Sequence, residues 1–128
     1  MTRRSSLNPS ALRDLVARAL AEDLGRGDVT TRALFSAAVP AKAVITAKQA
    51  GVAAGLPVAK AVFGQVDPRL RFRALVKEGA RLKPGMALAS IRGDGRSILA
   101  GERIALNFLQ RLCGIATLTM QFVDAVKG

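Results

Sequence analysis

Any chemistry in this chain has to be done without histidine. None of the 128 residues is His, and Cys113 is the single cysteine. That excludes a Ser-His-Asp or Cys-His nucleophile system and a His-ligated metal within the chain, and with them an intrachain disulfide and a Cys-rich zinc site. Positive charge is what the chain has in quantity: 20 Lys and Arg stand against 9 Asp and Glu, a net charge of +11. Arg69, Arg71, Arg73, Lys77, Arg81, Lys83, Arg92 and Arg96 crowd into residues 69–96, opposed only by Glu78 and Asp94. Such a field concentrates anions, either nucleic acid or phosphorylated or carboxylated small molecules. Five Phe with no Tyr or Trp leave only Phe for a base-stacking platform. A solvated basic face that serves solubility is the plain alternative. One further cation, Arg103, stands apart from this group, in a long helical pattern near the end of the chain.

These residues need a scaffold, and the chain can build one. Its length suits one domain, and with 50% hydrophobic residues it can bury a core without metal or disulfide staples. No apolar run reaches the ~18 residues a membrane span needs. Arg13, Asp14 and Arg18 interrupt the apolar stretch a signal peptide would require, so the chain reads as a soluble cytoplasmic protein.

Residues 7–24 read as an amphipathic helix, with Asn8 as N-cap, Pro9 in the first helical position and Leu7 as a staple on Leu12. Leu12, Leu15, Val16, Ala19 and Leu20 form its apolar face, and Gly25 ends it. A turn and a short helical piece follow over 25–35, where Asp28 and Thr30 read as turn and cap residues rather than ligands. Residues 41–50 alternate as a strand, with Ala43, Ile45 and Ala47 on one side and Val44, Thr46 and Lys48 on the other. Gly51 and Gly55 bracket a bend, and Pro57 to Gly64 make a short helix. Residues 69–77 predict a half-exposed antiparallel strand, with Leu70, Phe72, Ala74 and Val76 on one side and Arg69, Arg71, Arg73 and Lys77 on the other, charged face. Residues 78–85 supply turn chemistry, Met86–Arg92 a further strand, and Gly93-Asp94-Gly95 a tight turn.

From Ser97, the expected cap, a long helix runs to the end. Ile98, Ala105, Leu109, Leu112 and Ala116 share a broad apolar arc, while Arg103, Asn107, Gln110, Gly114 and Gln121 line a narrow polar stripe. The arc is too wide for a surface helix of a small domain, so more of this protein or a partner is expected to cover it. Gly101 and Gly114 suggest a close backbone approach or a break near Gly114. Val123 and Val126 keep helical register to the end, as in the front part of a larger protein.

Two strings carry a family resemblance: EDLGRGDVTT, from Glu22 to Thr31, and ILAGERIALNFLQRLCGIATLT, from Ile98 to Thr119. With Gly51, Gly55 and GARLKPGMAL (79–88) between them, the chain from about Leu7 to Gly128 resembles the N-terminal domain of quinolinate phosphoribosyltransferase, also called nicotinate-nucleotide pyrophosphorylase (carboxylating). The long-helix string is the specific part.

The resemblance implies an α+β fold: an open, sandwich-like antiparallel sheet with flanking helices, of the α/β-hammerhead or barrel-sandwich type. Residues 1–96 would form this domain, and 97–128 a long helix at a dimer interface leading to an α/β barrel beyond this chain. The implied activity converts quinolinate and phosphoribosyl pyrophosphate to nicotinate mononucleotide, pyrophosphate and CO2 in de novo NAD synthesis, in the cytoplasm. The implied assembly is a homodimer or higher oligomer, without nucleic acid or membrane partners. Magnesium is implied as cofactor, with its ligands and the catalytic residues expected in the barrel, so that the 128 residues alone are inactive. Arg103 matches the family arginine that reaches across the interface to a quinolinate carboxylate, which suits a planar guanidinium able to grip a carboxylate bidentately.

Other readings stay beside these. Most arginines on a polar stripe are simply solvated. Glu102, which falls within the apolar arc near the helix N-terminus, is either an acid compensating the helix dipole or half of a buried interfacial pair. Asn107 and Gln110 could buttress Arg103 or bond across a dimer. Cys113 stands where the family usually has Ser, a change expected to affect packing only. A small basic nucleic-acid-binding module is the alternative function. A carrier domain, suggested by LKPGMAL, lacks a modifiable Lys at a hairpin tip and ranks last.

Overall fold

A computed structural model of the chain describes residues 8–25 and 39–127. The Leu7 staple and the roles expected of Asp28 and Thr30 lie outside the described residues. The first element, α1, spans Pro9–Gly25. Asn8 caps it as anticipated, its Oδ1 accepting the Ser10 N–H at 2.9 Å and the Ala11 N–H at 3.4 Å. The inward stripe is narrower than the sequence suggests. Val16 and Leu20 are buried and Leu12 packs against the core, but Leu15 is half exposed. The packing of α1 covers an i, i+4, i+8 row of Leu12, Val16 and Leu20 and leaves its flank in water.

Strands β1 (Pro40–Thr46), β5 (Ala87–Asp94) and β3 (Arg71–Ala74) form an antiparallel sheet in the order β1-β5-β3, and β2 (Gly51–Val52) pairs with β4 (Arg81–Leu82) in a second, two-stranded sheet. Helix α2 (Leu56–Val66) joins β2 to β3, and α3 (Gly95–Lys127) follows β5 directly. The α+β architecture with antiparallel sheets and a long last helix is therefore as expected. The faces of β1 also match: Ala43, Ile45 and Ala47 turn inward while Val44, Thr46 and Lys48 are exposed.

Other boundaries move, each for a visible reason. The β3 strand is four residues long rather than nine, because Asp67 pulls Arg69 out of the ladder by accepting its N–H at 3.0 Å. Gly93 and Asp94 form no tight turn, since cross-strand pairing with Ala41 and Pro40 keeps them in β5. Ser97 is not the cap of α3. Asp94 holds that place, its Oδ1 accepting the Arg96 N–H at 3.0 Å, and the Ser97 hydroxyl donates to Asp67 at 2.8 Å. Gly64 lies inside α2, which closes instead where the Asp67 N–H reaches the Phe63 carbonyl.

The core sits between the inner face of the three-stranded sheet and the helices. Phe63, Ile91, Val16 and Val62 are fully buried, and the Phe63 ring stacks on Phe72 of β3 with centroids 6.1 Å apart. Burying side chains of this size removes ~1.5–3 kcal/mol each of unfavourable hydration. The first half of α3 belongs to this core through Ile98, Gly101, Ala105 and Leu109. Gly101 is small because a Cβ there would stand 3.0 Å from the Phe63 ring, so a side chain rather than another backbone makes the close approach. No break occurs at Gly114, and α3 is continuous to Lys127.

Candidate functional site

Arg103 lies on the exposed stripe of α3, and Asn107, Gln110, Gly114 and Gln121 are exposed along the same stripe, as the spacing predicts. Glu102 is exposed too, rather than inside the apolar arc. Two packed helices hold Arg103 in place. The α3 backbone is rooted by buried Gly101 and Ala105, two residues to either side, while α1 brings Asp23 alongside. Arg103 Nη1 donates to Asp23 Oδ1 at 3.3 Å, with the Arg103 side chain 73% exposed and that of Asp23 only 14%. One arm of the guanidinium is thus anchored. Among the described residues none accepts from Nε or Nη2, so those donors remain available to a carboxylate.

Several residues that position this frame give no local signal. Glu78, on the turn before β4, accepts the N–H groups of Gly55 at 3.0 Å and Leu56 at 2.8 Å. It serves as a remote N-cap for α2, whose own cap residue Gly55 has no side chain and sits at φ 94°. A side chain at Gly55 would be strained, and its Cβ would also overlap Leu112 of α3 at 2.6 Å. Further along α3, Thr117 Oγ1 accepts the Val52 N–H at 3.0 Å. Cys113 Sγ accepts the Ala54 N–H at 3.4 Å and donates to the Ala54 carbonyl at 3.3 Å. Cys113 therefore does more than pack, and a Ser hydroxyl has the same donor and acceptor capacity.

The basic segment does not act as one block. Asp67 accepts from the Arg69 backbone and guanidinium and from Ser97. These contacts, the Arg69 N–H foremost, hold its carboxyl below the usual carboxylate range. The Arg96 guanidinium does the same for Asp94, lowering it to about 2. Arg81 reaches Asp124 at 3.5 Å, an exposed pair of small energetic weight. Arg71, Arg73, Lys77, Lys83 and Arg92 remain, with no carboxylate within 4 Å among the described residues. Arg71 and Arg92 stand in a row with Lys42 across β3, β5 and β1 on the outer sheet face. That face looks away from the helices, so these cations are not brought together with Arg103.

Among the described residues no group of three or more His, Cys, Asp or Glu could hold a metal ion. No helix among them is long and apolar enough to cross a membrane.

Residues 28–113 match the family model described as quinolinate phosphoribosyl transferase, N-terminal domain. Over 115 residues the chain is 37% identical to quinolinate phosphoribosyltransferase (decarboxylating) 1 of Nicotiana glauca, covering 89% of this chain and 33% of that protein. It is 43% identical over 107 residues to the probable nicotinate-nucleotide pyrophosphorylase (carboxylating) of Synechocystis, covering 84% of this chain and 36% of that one. Among solved structures, NadC from Streptococcus pyogenes superposes with a TM-score of 0.91 at 40% identity, over 97% of this chain and 44% of the other. The nicotinate-nucleotide pyrophosphorylase of Francisella tularensis gives a TM-score of 0.90 at 27% identity, over 99% of this chain and 45% of the other. The chain spans about a third of the length of the curated relatives it matches.

Proposed function

The chain belongs to the quinolinate phosphoribosyltransferase family through its N-terminal domain, and on that premise we propose that it is the N-terminal part of an enzyme of NAD biosynthesis. That enzyme converts quinolinate and phosphoribosyl pyrophosphate to nicotinate mononucleotide, pyrophosphate and CO2. The observation that carries this reading is the family match over residues 28–113. In the working enzyme this domain caps the active site of a partner subunit, and Arg103 holds a quinolinate carboxylate there. The exposed guanidinium, whose Nε and Nη2 have no acceptor among the described residues, supports that role, because charge-assisted bonds of this type contribute ~1.5–3 kcal/mol each.

The homodimer belongs to the same proposal. Its support is the apolar surface on the second half of α3, where Ile115, Leu118, Phe122 and Val126 are between 56% and 71% exposed. Cytoplasmic location is likewise proposed, in keeping with a lone thiol that has no second cysteine to pair with. Magnesium, which the family implies, has no fitting set of ligands among the described residues, and no step is derived through it. A nucleic-acid module would use the Lys42–Arg92–Arg71 row, but the family match favours the enzyme.

The test is Arg103→Ala in the complete enzyme. Isothermal titration is expected to show quinolinate bound roughly 10- to 100-fold more weakly, with fold and phosphoribosyl pyrophosphate binding retained. Unchanged quinolinate affinity removes the role given to Arg103. For the 128-residue chain, sedimentation is expected to show self-association and assays no turnover; a strict monomer at high concentration counts against the α3 interface.

A further inference from the structure

We infer that Asp23 is a positioning residue for Arg103, fixing one arm of its guanidinium so that the other faces a ligand carboxylate; this rests on the reading of Arg103 given above. Asp23 is badly placed by local criteria. It lies in the last turn of α1, where the exposed carbonyls repel an anion, and that turn contains no basic residue. Its side chain is only 14% exposed, so water solvates its charge poorly. Among the described residues the one cation within 4 Å is Arg103, 80 residues later, with Nη1 at 3.3 Å. Neither the helix nor burial favours a carboxylate there, whereas the guanidinium does.

The geometry shows what the contact accomplishes. A free arginine samples many rotamers and loses them on binding a ligand. Anchoring Nη1 to a carboxylate on α1, whose Val16 and Leu20 share one core with the first half of α3, removes much of that loss beforehand. The contact is single rather than a fork on both arms, so Asp23 orients the group without occupying it. The consequence is specific to one substrate: the dicarboxylate should feel the loss of Asp23, and the phosphorylated sugar should not.

Steady-state kinetics of the complete enzyme with Asp23→Asn, Asp23→Glu, Arg103→Ala and the double variant Asp23→Asn/Arg103→Ala tests this. Asp23→Asn is expected to raise the KM for quinolinate about fivefold, the scale of an exposed ion pair. The KM for phosphoribosyl pyrophosphate and the Tm should stay as in the parent, and Asp23→Glu should recover part of the loss. In the Arg103→Ala background Asp23→Asn should add nothing, since two residues acting as one unit are not additive. A quinolinate KM within about twofold of the parent overturns the inference, as does an equal rise in both KM values. An undiminished effect in the Arg103→Ala background overturns it too, and so does a lowered Tm in both Asp23→Asn and Asp23→Glu, which marks a structural role. If Arg103→Ala itself leaves quinolinate KM unchanged, the reading of Arg103 falls as well; an impaired Arg103→Ala beside a normal Asp23→Asn overturns the inference about Asp23 alone.

Discussion

The two halves of α3 are built from similar residues and meet different surroundings. From Gly95 to Leu109 most of the apolar side chains enter the core, with Ile98, Ala105 and Leu109 buried and Leu99 left exposed. From Gln110 onward the pattern continues, but Ile115, Leu118, Phe122 and Val126 lie open. Along one edge this half is held by Leu112 against the core, Cys113 on Ala54 and Thr117 on Val52. Apolar periodicity therefore reports which face of a helix wants cover, and says nothing of whether its own domain provides it. Arg103 sits on the covered half, where the helix backbone is packed and the side chain meets Asp23. The binding role proposed for Arg103 suits such a segment, because small displacements of a ligand-gripping group are costly.

The contrast can be broken from the covered side first. Phe63→Ala empties the ring that stacks on Phe72 and bears on Gly101, and should destabilise the domain by about 3–5 kcal/mol in urea unfolding. A loss near that of a surface change would mean that the covered half is not held by this core. Glu78→Ala comes next. It strips α2 of its remote cap and should cost about 1 kcal/mol, with Glu78→Gln recovering part of it.

Acid should act on the same joint. The Asp94 carboxyl, held at about 2 chiefly by Arg96, is ordinarily near 3.8. Its folded pKa is depressed, so its contribution is present above pH 3.8 and is lost as pH falls towards 2. Asp67 shifts in the same direction. Unfolding midpoints measured from pH 5 to 2 should therefore decline less steeply in Asp94→Asn than in the parent; identical slopes would contradict the assignment. The smallest effect is expected on the open side. Leu118→Ser with Phe122→Ser should change the stability of the monomeric domain by no more than about 0.5 kcal/mol, read by thermal melts at low concentration. A large loss would show that the second half of α3 is covered after all.

A second pair of regions separates in a similar way. Arg103 and the Lys42–Arg92–Arg71 row are all exposed cations, and composition treats them alike. Strand register turns the row to the outer sheet face, while the helix phase puts Arg103 beside Asp23. Like charges opposite each other across strands are unfavourable, so the row weakens the sheet slightly while it keeps that face charged.

Much of the fold was legible in the sequence. The Asn8 cap, the two faces of β1, the helix opened near Pro57 and the polar stripe through Arg103 all follow from contiguous residue patterns. The boundary at Asp94 was misread, because the glycines on either side of Asp94 pointed to a tight turn and Ser97 offered a cap signal three residues later. Glu78 on the α2 N-terminus, Thr117 on Val52 and Asp23 on Arg103 were not legible, being separated by 22, 65 and 80 residues.

By itself the sequence determined the periodic elements, the absence of histidine chemistry and the family string around Arg103. These are properties of neighbouring residues, or of composition. Tertiary structure alone decided which part of the long helix is sheathed, which arginines find carboxylates, and that a carboxylate at the unfavourable end of α1 stands beside Arg103. Those outcomes depend on how the strands pair and where the helices cross, and a side chain's partner across such a crossing leaves no trace in the spacing along the chain.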